Sequence, residues 1–76
     1  MSEREWLGVF ARNLLQLMMD RMMTQKELAE LSGLSEGTIS KYIRNMQMPG
    51  PKALVNLAYA LSCTLDDLMD FGEKVR

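Results

Sequence analysis

The 76 residues carry nine basic and ten acidic groups, a formal net charge of -1, no histidine and a single cysteine. This excludes an internal disulfide and an ordinary histidine/cysteine metal site, and no metal or other cofactor is expected. One domain, residues 1–76, is what this length accommodates; a core so small seldom supplies more than about 3–5 kcal/mol unaided, so a second copy of the chain is the expected support. No charged leader with a long apolar run precedes the first helical pattern, and no stretch approaches the roughly 20 apolar residues of a membrane span. A soluble, cytoplasmic protein without membrane contact is expected.

From about Glu3 to Met22 the pattern is helical. Trp6, Leu7, Phe10, Ala11, Leu14, Leu17, Met18 and Met22 project onto one side, with Val9, Met19 and Met23 off it. An apolar stripe this broad exceeds the roughly 100° that one core contact needs, so more than one neighbour is implied. Met18 and Met22 read as core filling, since methionine adapts to irregular gaps. Met19 and Met23, with Trp6 or Val9, divide evenly between core and contact with another subunit.

Residues 24–45, TQKELAELSGLSEGTISKYIRN, are the centre of the chain. Thr24 with Glu27 three residues on is a capping box and starts a helix. Leu28, Ala29 and Leu31 give that helix an apolar side, and Gly33 suits the left-handed residue that closes it. Ser35 is an N-cap for a second helix. Its Ile39, Tyr42 and Ile43 face inward, while Glu36, Gly37, Ser40, Lys41 and Arg44 face outward. Two short helices with a tight glycine-containing joint form a helix-turn-helix.

Gln25, Ala29, Gly33, Leu34, Ser35, Thr38, Ile39 and Ser40 stand at the spacing of the phage repressor and Cro-like (XRE-type) helix-turn-helix family, which the chain resembles from about Phe10 to Phe71. The resemblance implies that the second motif helix lies in the major groove of double-stranded DNA and that a homodimer reads two half-sites related by a two-fold axis, about 10 bp apart. It also implies that Gln25 contacts a phosphate and braces the first outward residue of the recognition helix, here Glu36. Many relatives pair an arginine near the end of the first helix with a glutamate near the end of the recognition helix. The matching positions here are Met18 and Ile43, a joint replacement that leaves no buried charge unpaired and predicts that the two side chains touch.

Asn45 can take the left-handed conformation at a helix end. Two prolines and a glycine then keep Met46 to Pro51 irregular, and Pro51 opens a bracing helix with Leu54, Leu57, Ala58 and Leu61 at helical spacing. Thr64 with Asp67 is a second, shorter capping box for a last helix carrying Leu65, Leu68, Met69 and Phe71 before Gly72. Cys63, in the joint, reads as a small buried hydrophobe. The local sequence offers it no cationic neighbour. The expected fold is all-α, a five-helix orthogonal bundle of the phage-repressor DNA-binding domain type with a central helix-turn-helix.

No nucleophile paired with a base can be assembled from these residues, so catalysis is not expected. Binding is. Residues 53–76 carry two basic and four acidic groups, whereas Lys41, Arg44 and Lys52 are opposed locally only by Glu36, so any DNA footprint is modest and centred there. Lys41 is the leading base contact, its arm long enough for guanine O6 and N7, unless it is only a solvated surface lysine. Glu36 either accepts from a cytosine amino group or merely favours the helix N-terminus. Gly37 either admits a base edge close to the backbone or is simply tolerated on an exposed turn. Thr38 either meets a thymine methyl or packs on the preceding helix. Gln25, Ser35, Ser40, Arg44, Asn45 and Lys52 suit phosphates, which position a protein without reading sequence. The leading expectation is a small dimeric transcriptional regulator, a repressor of Cro-like, antitoxin-like or restriction-controller type. The rival is a protein-binding module in which Glu36 and the acid-rich tail engage a protein partner.

Overall fold

The first helix starts on a motif that the apolar periodicity does not use. The Ser2 hydroxyl accepts the Glu5 amide at 3.2 Å, and the Glu5 carboxylate accepts the Ser2 amide at 2.9 Å. The hydrogen bond from the Ser2 amide holds the Glu5 carboxyl below the usual carboxylate range. The computed structural model of the chain describes residues 2–70. Among them five helices follow in order: α1 (Glu3–Asp20), α2 (Gln25–Ser32), α3 (Glu36–Ile43), α4 (Pro51–Leu61) and α5 (Leu65–Leu68), with no strand. Every start except that of α4 has a side-chain cap: Ser2, Thr24, Ser35 and Thr64. Helix α4 begins at Gly50 without one and has Pro51 in its first turn, where the missing amide proton leaves no bond unmade.

Helix α2 packs on α3 and α4, α1 packs on α3 and α5, and α4 packs on α5. Phe10, Leu14, Leu28, Ile39, Leu57, Leu61 and Leu68 are fully buried where these helices meet. Trp6 stacks on Phe10, with centroids 5.5 Å apart, and Tyr42 meets Phe10 edge-on at 5.6 Å. Met18 is buried, and Ile43 packs against the same apolar cluster, so the two apolar replacements serve one core.

Three expectations change. Met22 is 90 % exposed rather than core, because α1 stops at Asp20 and Met22 takes a left-handed conformation with φ 52°. The amides of Met22 and Met23 close the helix by donating to the carbonyls of Met19 and Met18, a Schellman turn at a position that usually takes glycine. Left-handed backbone at a residue with a Cβ costs roughly 1 kcal/mol. Leu31 is 58 % exposed; the buried face of α2 is Leu28, Ala29 and Ser32. Its centre lies roughly a quarter-turn from Leu31. Helix α5 ends at Leu68 with Met69 as its cap, so Met69 lies beyond the last helical residue; Phe71 and Gly72 lie outside the described residues. Met23 and Trp6 pack partly against the core, while Met19 is 63 % exposed.

Two long-range hydrogen-bond anchors hold the helix ends. Asn13 donates its side-chain amide to the carbonyls of Leu68 at 3.0 Å and Asp70 at 2.7 Å, tying α1 to the end of α5. The Arg21 guanidinium donates to the carbonyl of Leu61, the last residue of α4. It also stands close enough to Cys63 to pull the thiol pKa down. Burial and the Asp67 carboxylate outweigh it, and the thiol is pushed up.

Candidate nucleic-acid interface

The joint between α2 and α3 is closed by local hydrogen bonds. In the Thr24 capping box the Thr24 hydroxyl accepts the Glu27 amide at 3.1 Å, and the Glu27 carboxylate accepts the Thr24 amide at 2.8 Å. Gly33 adopts φ 77° and its amide donates to the Ala29 carbonyl at 3.0 Å. Ser32 is the one buried polar residue described; its hydroxyl donates to the Ala29 carbonyl and accepts the Leu34 amide. Its spacing of four from Leu28 is the signal that places it on the inner face, though periodicity counted over apolar residues alone passes over it.

Helix α3 is held from behind. Ile39 and Tyr42 are buried and Ile43 is half-buried, so its opposite flank is turned outward. On that flank Glu36, Gly37, Lys41 and Arg44 are exposed, with Thr38 and Ser40 half-buried at its edges. Burial raises the Tyr42 hydroxyl above its ordinary pKa, which suits a core residue rather than a groove contact.

Ser35, exposed at the N-cap, uses its hydroxyl twice: it accepts the Thr38 amide at 3.0 Å and shares a hydrogen bond with the Thr38 hydroxyl at 2.9 Å. Capping is thus done by Ser35. Glu36 adds only its charge to the first turn, where the helix dipole favours it. Among the described residues Gln25 and Glu36 share no hydrogen bond, so the brace implied by the resemblance is not made in the unbound chain. A Cβ on Gly37 would meet only the Ser35 hydroxyl oxygen, at 3.8 Å, an ordinary contact. The fold does not require glycine there.

At the other end of α3, Arg44 lies back along the helix with its Nε donating to the Ser40 carbonyl at 3.4 Å. Asn45, at φ 62°, closes the helix as expected: its amide and that of Met46 donate to the carbonyls of Tyr42 and Lys41. Asn45 also lines an open groove of about 510 Å³ with Glu3, Arg4 and Leu7. The periodicity of α1 leaves Arg4 on a solvated face, and only the packing of α1 on α3 sets this cation near the phosphate-contact candidates. Lys52 is exposed in the first turn of α4.

Among the described residues no three His, Cys, Asp or Glu side chains gather as metal ligands, and no helix is long and apolar enough to cross a membrane. The arrangement offers an exposed polar flank with donors, one acceptor-only side chain, Glu36, and two long cations, Lys41 and Arg44.

A family model described as Helix-turn-helix matches residues 14–68. Among solved structures, the chain is similar to the restriction-modification controller protein C.AhdI from Aeromonas hydrophila, with a TM-score of 0.79 and 27% identity over 82% of this chain and 94% of that one. Among curated proteins none matches.

Proposed function

The chain belongs to the helix-turn-helix family, and on that premise we propose that it is a cytoplasmic, homodimeric transcriptional regulator that binds specific double-stranded DNA, a repressor in the manner of a restriction-system controller. The observation that carries this reading is the outward flank of α3: Glu36, Gly37, Lys41 and Arg44 are exposed while Ile39 and Tyr42 anchor the helix from behind. A helix held this way can enter the major groove with its N-terminal residues against base edges. Lys41 reads a guanine edge, and Glu36 accepts from a cytosine amino group. Gln25, Ser40, Arg44, Asn45 and Lys52 set the register on phosphates. Similarity to a controller protein across most of both chains supports that setting over the Cro-like and antitoxin-like ones. With so few cations per subunit, two copies on two-fold related half-sites are needed to reach the roughly 10⁻⁸ M of specific sites.

Selection of bound sequences from random duplexes at two salt concentrations tests the reading. A symmetric pair of half-sites about 10 bp apart is expected, with binding that weakens steeply as salt rises and a salt slope reduced by about one unit in Lys41→Ala. Met19, 63 % exposed, and the near-zero net charge favour the alternative of a protein-binding module. If Lys41→Ala and Arg44→Ala leave DNA retention unchanged while Met19→Glu abolishes association with a cellular protein, that alternative stands instead.

A further inference from the structure

We propose that the groove between the first turn of α1 and the end of α3 seats the DNA backbone, with Arg4 joining Asn45 on one phosphate of each half-site. The proposal rests on the DNA-binding reading above and adds a contact from outside the helix-turn-helix. Glu3, Arg4, Leu7 and Asn45 line this groove, whose volume is about 510 Å³. Arg4 is exposed, and among the described residues it makes no hydrogen bond or ion pair. The residues three and four places on from it, Leu7 and Gly8, are uncharged, so no carboxylate stands at the spacing that pairs side chains along a helix. Nor does the helix favour a cation there. Its first turn is its positive end, and the two acids of that turn, Glu3 and Glu5, follow the preference that Arg4 breaks. Nothing in the fold accounts for Arg4.

The opposite wall of the groove shows which ligand suits it. Asn45 stands just beyond Arg44 with φ 62°, its backbone amide spent on the Tyr42 carbonyl, while its side-chain amide makes no hydrogen bond among the described residues. A guanidinium with five donors and an amide with two, lining one open groove, suit an oxygen-rich anion that accepts several hydrogen bonds at once. With the N-terminal residues of α3 against base edges, its far end comes to the sugar-phosphate strand, which supplies that anion. Glu3 opposes the contact. Its carboxylate lines the same groove and repels a phosphate there, whereas the Glu5 carboxylate is turned to the Ser2 amide.

The test titrates the full chain with the duplex that it enriches from random sequences, carrying a single neutral methylphosphonate at each phosphate in turn. Arg4→Ala is expected to lower affinity roughly three- to tenfold at low salt, to reduce the salt slope by about 0.9, and to enrich the same sequence as the unaltered protein. In the unaltered protein one methylphosphonate per half-site reproduces that loss. In Arg4→Ala the same methylphosphonate costs clearly less, because the charged pair is already gone. Asn45→Gly, which keeps the left-handed backbone, is expected to weaken binding through that same phosphate, and Glu3→Gln to tighten it. Thermal unfolding separates contact from folding: removing the cation from the positive end of α1 leaves the midpoint of Arg4→Ala equal to or above that of the unaltered protein. The proposal is overturned if Arg4→Ala leaves the salt slope unchanged, or if it lowers affinity by one factor on every methylphosphonate duplex, which makes Arg4 a distant charge. It is equally overturned if Arg4→Ala alters the base enriched at any position, which makes Arg4 a base reader. Failure of the unaltered protein to enrich any sequence instead removes the DNA-binding reading itself, and the proposal with it.

Discussion

At Gly37 the fold and the proposed function pull in different directions. Glycine inside a helix costs roughly 0.5–1 kcal/mol relative to alanine, and the structure has room for the missing methyl, with the Ser35 oxygen at 3.8 Å and nothing nearer. Gly37→Ala is therefore expected to stabilise the fold by about that amount, raising the thermal midpoint by several degrees. The same change is expected to weaken DNA binding. An unchanged affinity in a titration with the selected duplex would mean that glycine is merely tolerated there. Residue-scale chemistry of this kind is legible in the sequence for the caps. Thr24, Ser35 and Thr64 each cap the helix expected of them, because the bonds involved span three residues and need no partner from elsewhere. The Ser2 cap follows the same signature, a serine with glutamate three residues on.

Helices, once formed, are tied to each other by polar anchors that local spacing does not announce. Asn13 reaches carbonyls 55 and 57 residues away, and Arg21 one 40 residues away. Asn13→Leu keeps the size of the side chain but removes both hydrogen bonds that it donates, so a loss of about 1 kcal/mol is expected. Hydrogen exchange should show the protection of α5 falling before that of α2 and α3. Helix α5 is only four residues long, so beyond its Thr64 cap and the buried Leu68 it depends on this tie. Near the same joint burial raises the Cys63 thiol, and within the core it raises the Tyr42 hydroxyl. Both groups stay neutral longer in the folded chain than in the unfolded one. Their contribution is intact below the unfolded values, about 8.5 for a thiol and 10 for a phenol. It is lost as pH climbs through the raised folded values. Stability measured by urea unfolding should decline above about pH 8.5, and Cys63→Ala should delay the onset to the phenol range. A profile identical to that of the parent chain would remove Cys63 from the account.

For the molecule as a whole, the question is how much apolar surface one copy leaves uncovered. Ten large hydrophobic residues among those described are exposed, including Tyr59 at 84 % and Met22 at 90 %. With a core drawn from a 76-residue chain, this favours association, since small domains bury the smallest share of their surface. If two copies fold as one unit, the thermal midpoint rises with protein concentration. Sedimentation at micromolar concentration should then give a mass near twice 8.7 kDa. A midpoint independent of concentration, with monomer mass throughout, would contradict the homodimer and leave the affinity to a single set of cations.

Spacing along the chain was enough to specify the helix-turn-helix, the irregular stretch from Met46 up to the Pro51 helix start and the core positions Phe10, Leu14, Leu28, Ile39 and Leu57, because each depends on bonds or periodicity within one or two turns. Tertiary packing decided the rest. The apolar stripe of α1 placed both Met18 and Met22 in the core, and only Met18 is covered; that followed from where α3 and α5 lie and from Met22 turning left-handed out of the helix. Ser32 took the inner place expected of Leu31 for the same reason, since only the position of α4 and α3 around α2 selects one face over its neighbour. The setting of Cys63 near Arg21, and of Arg4 beside Asn45, arose from residues about 40 positions apart meeting in space, a matter of distance that no local pattern encodes.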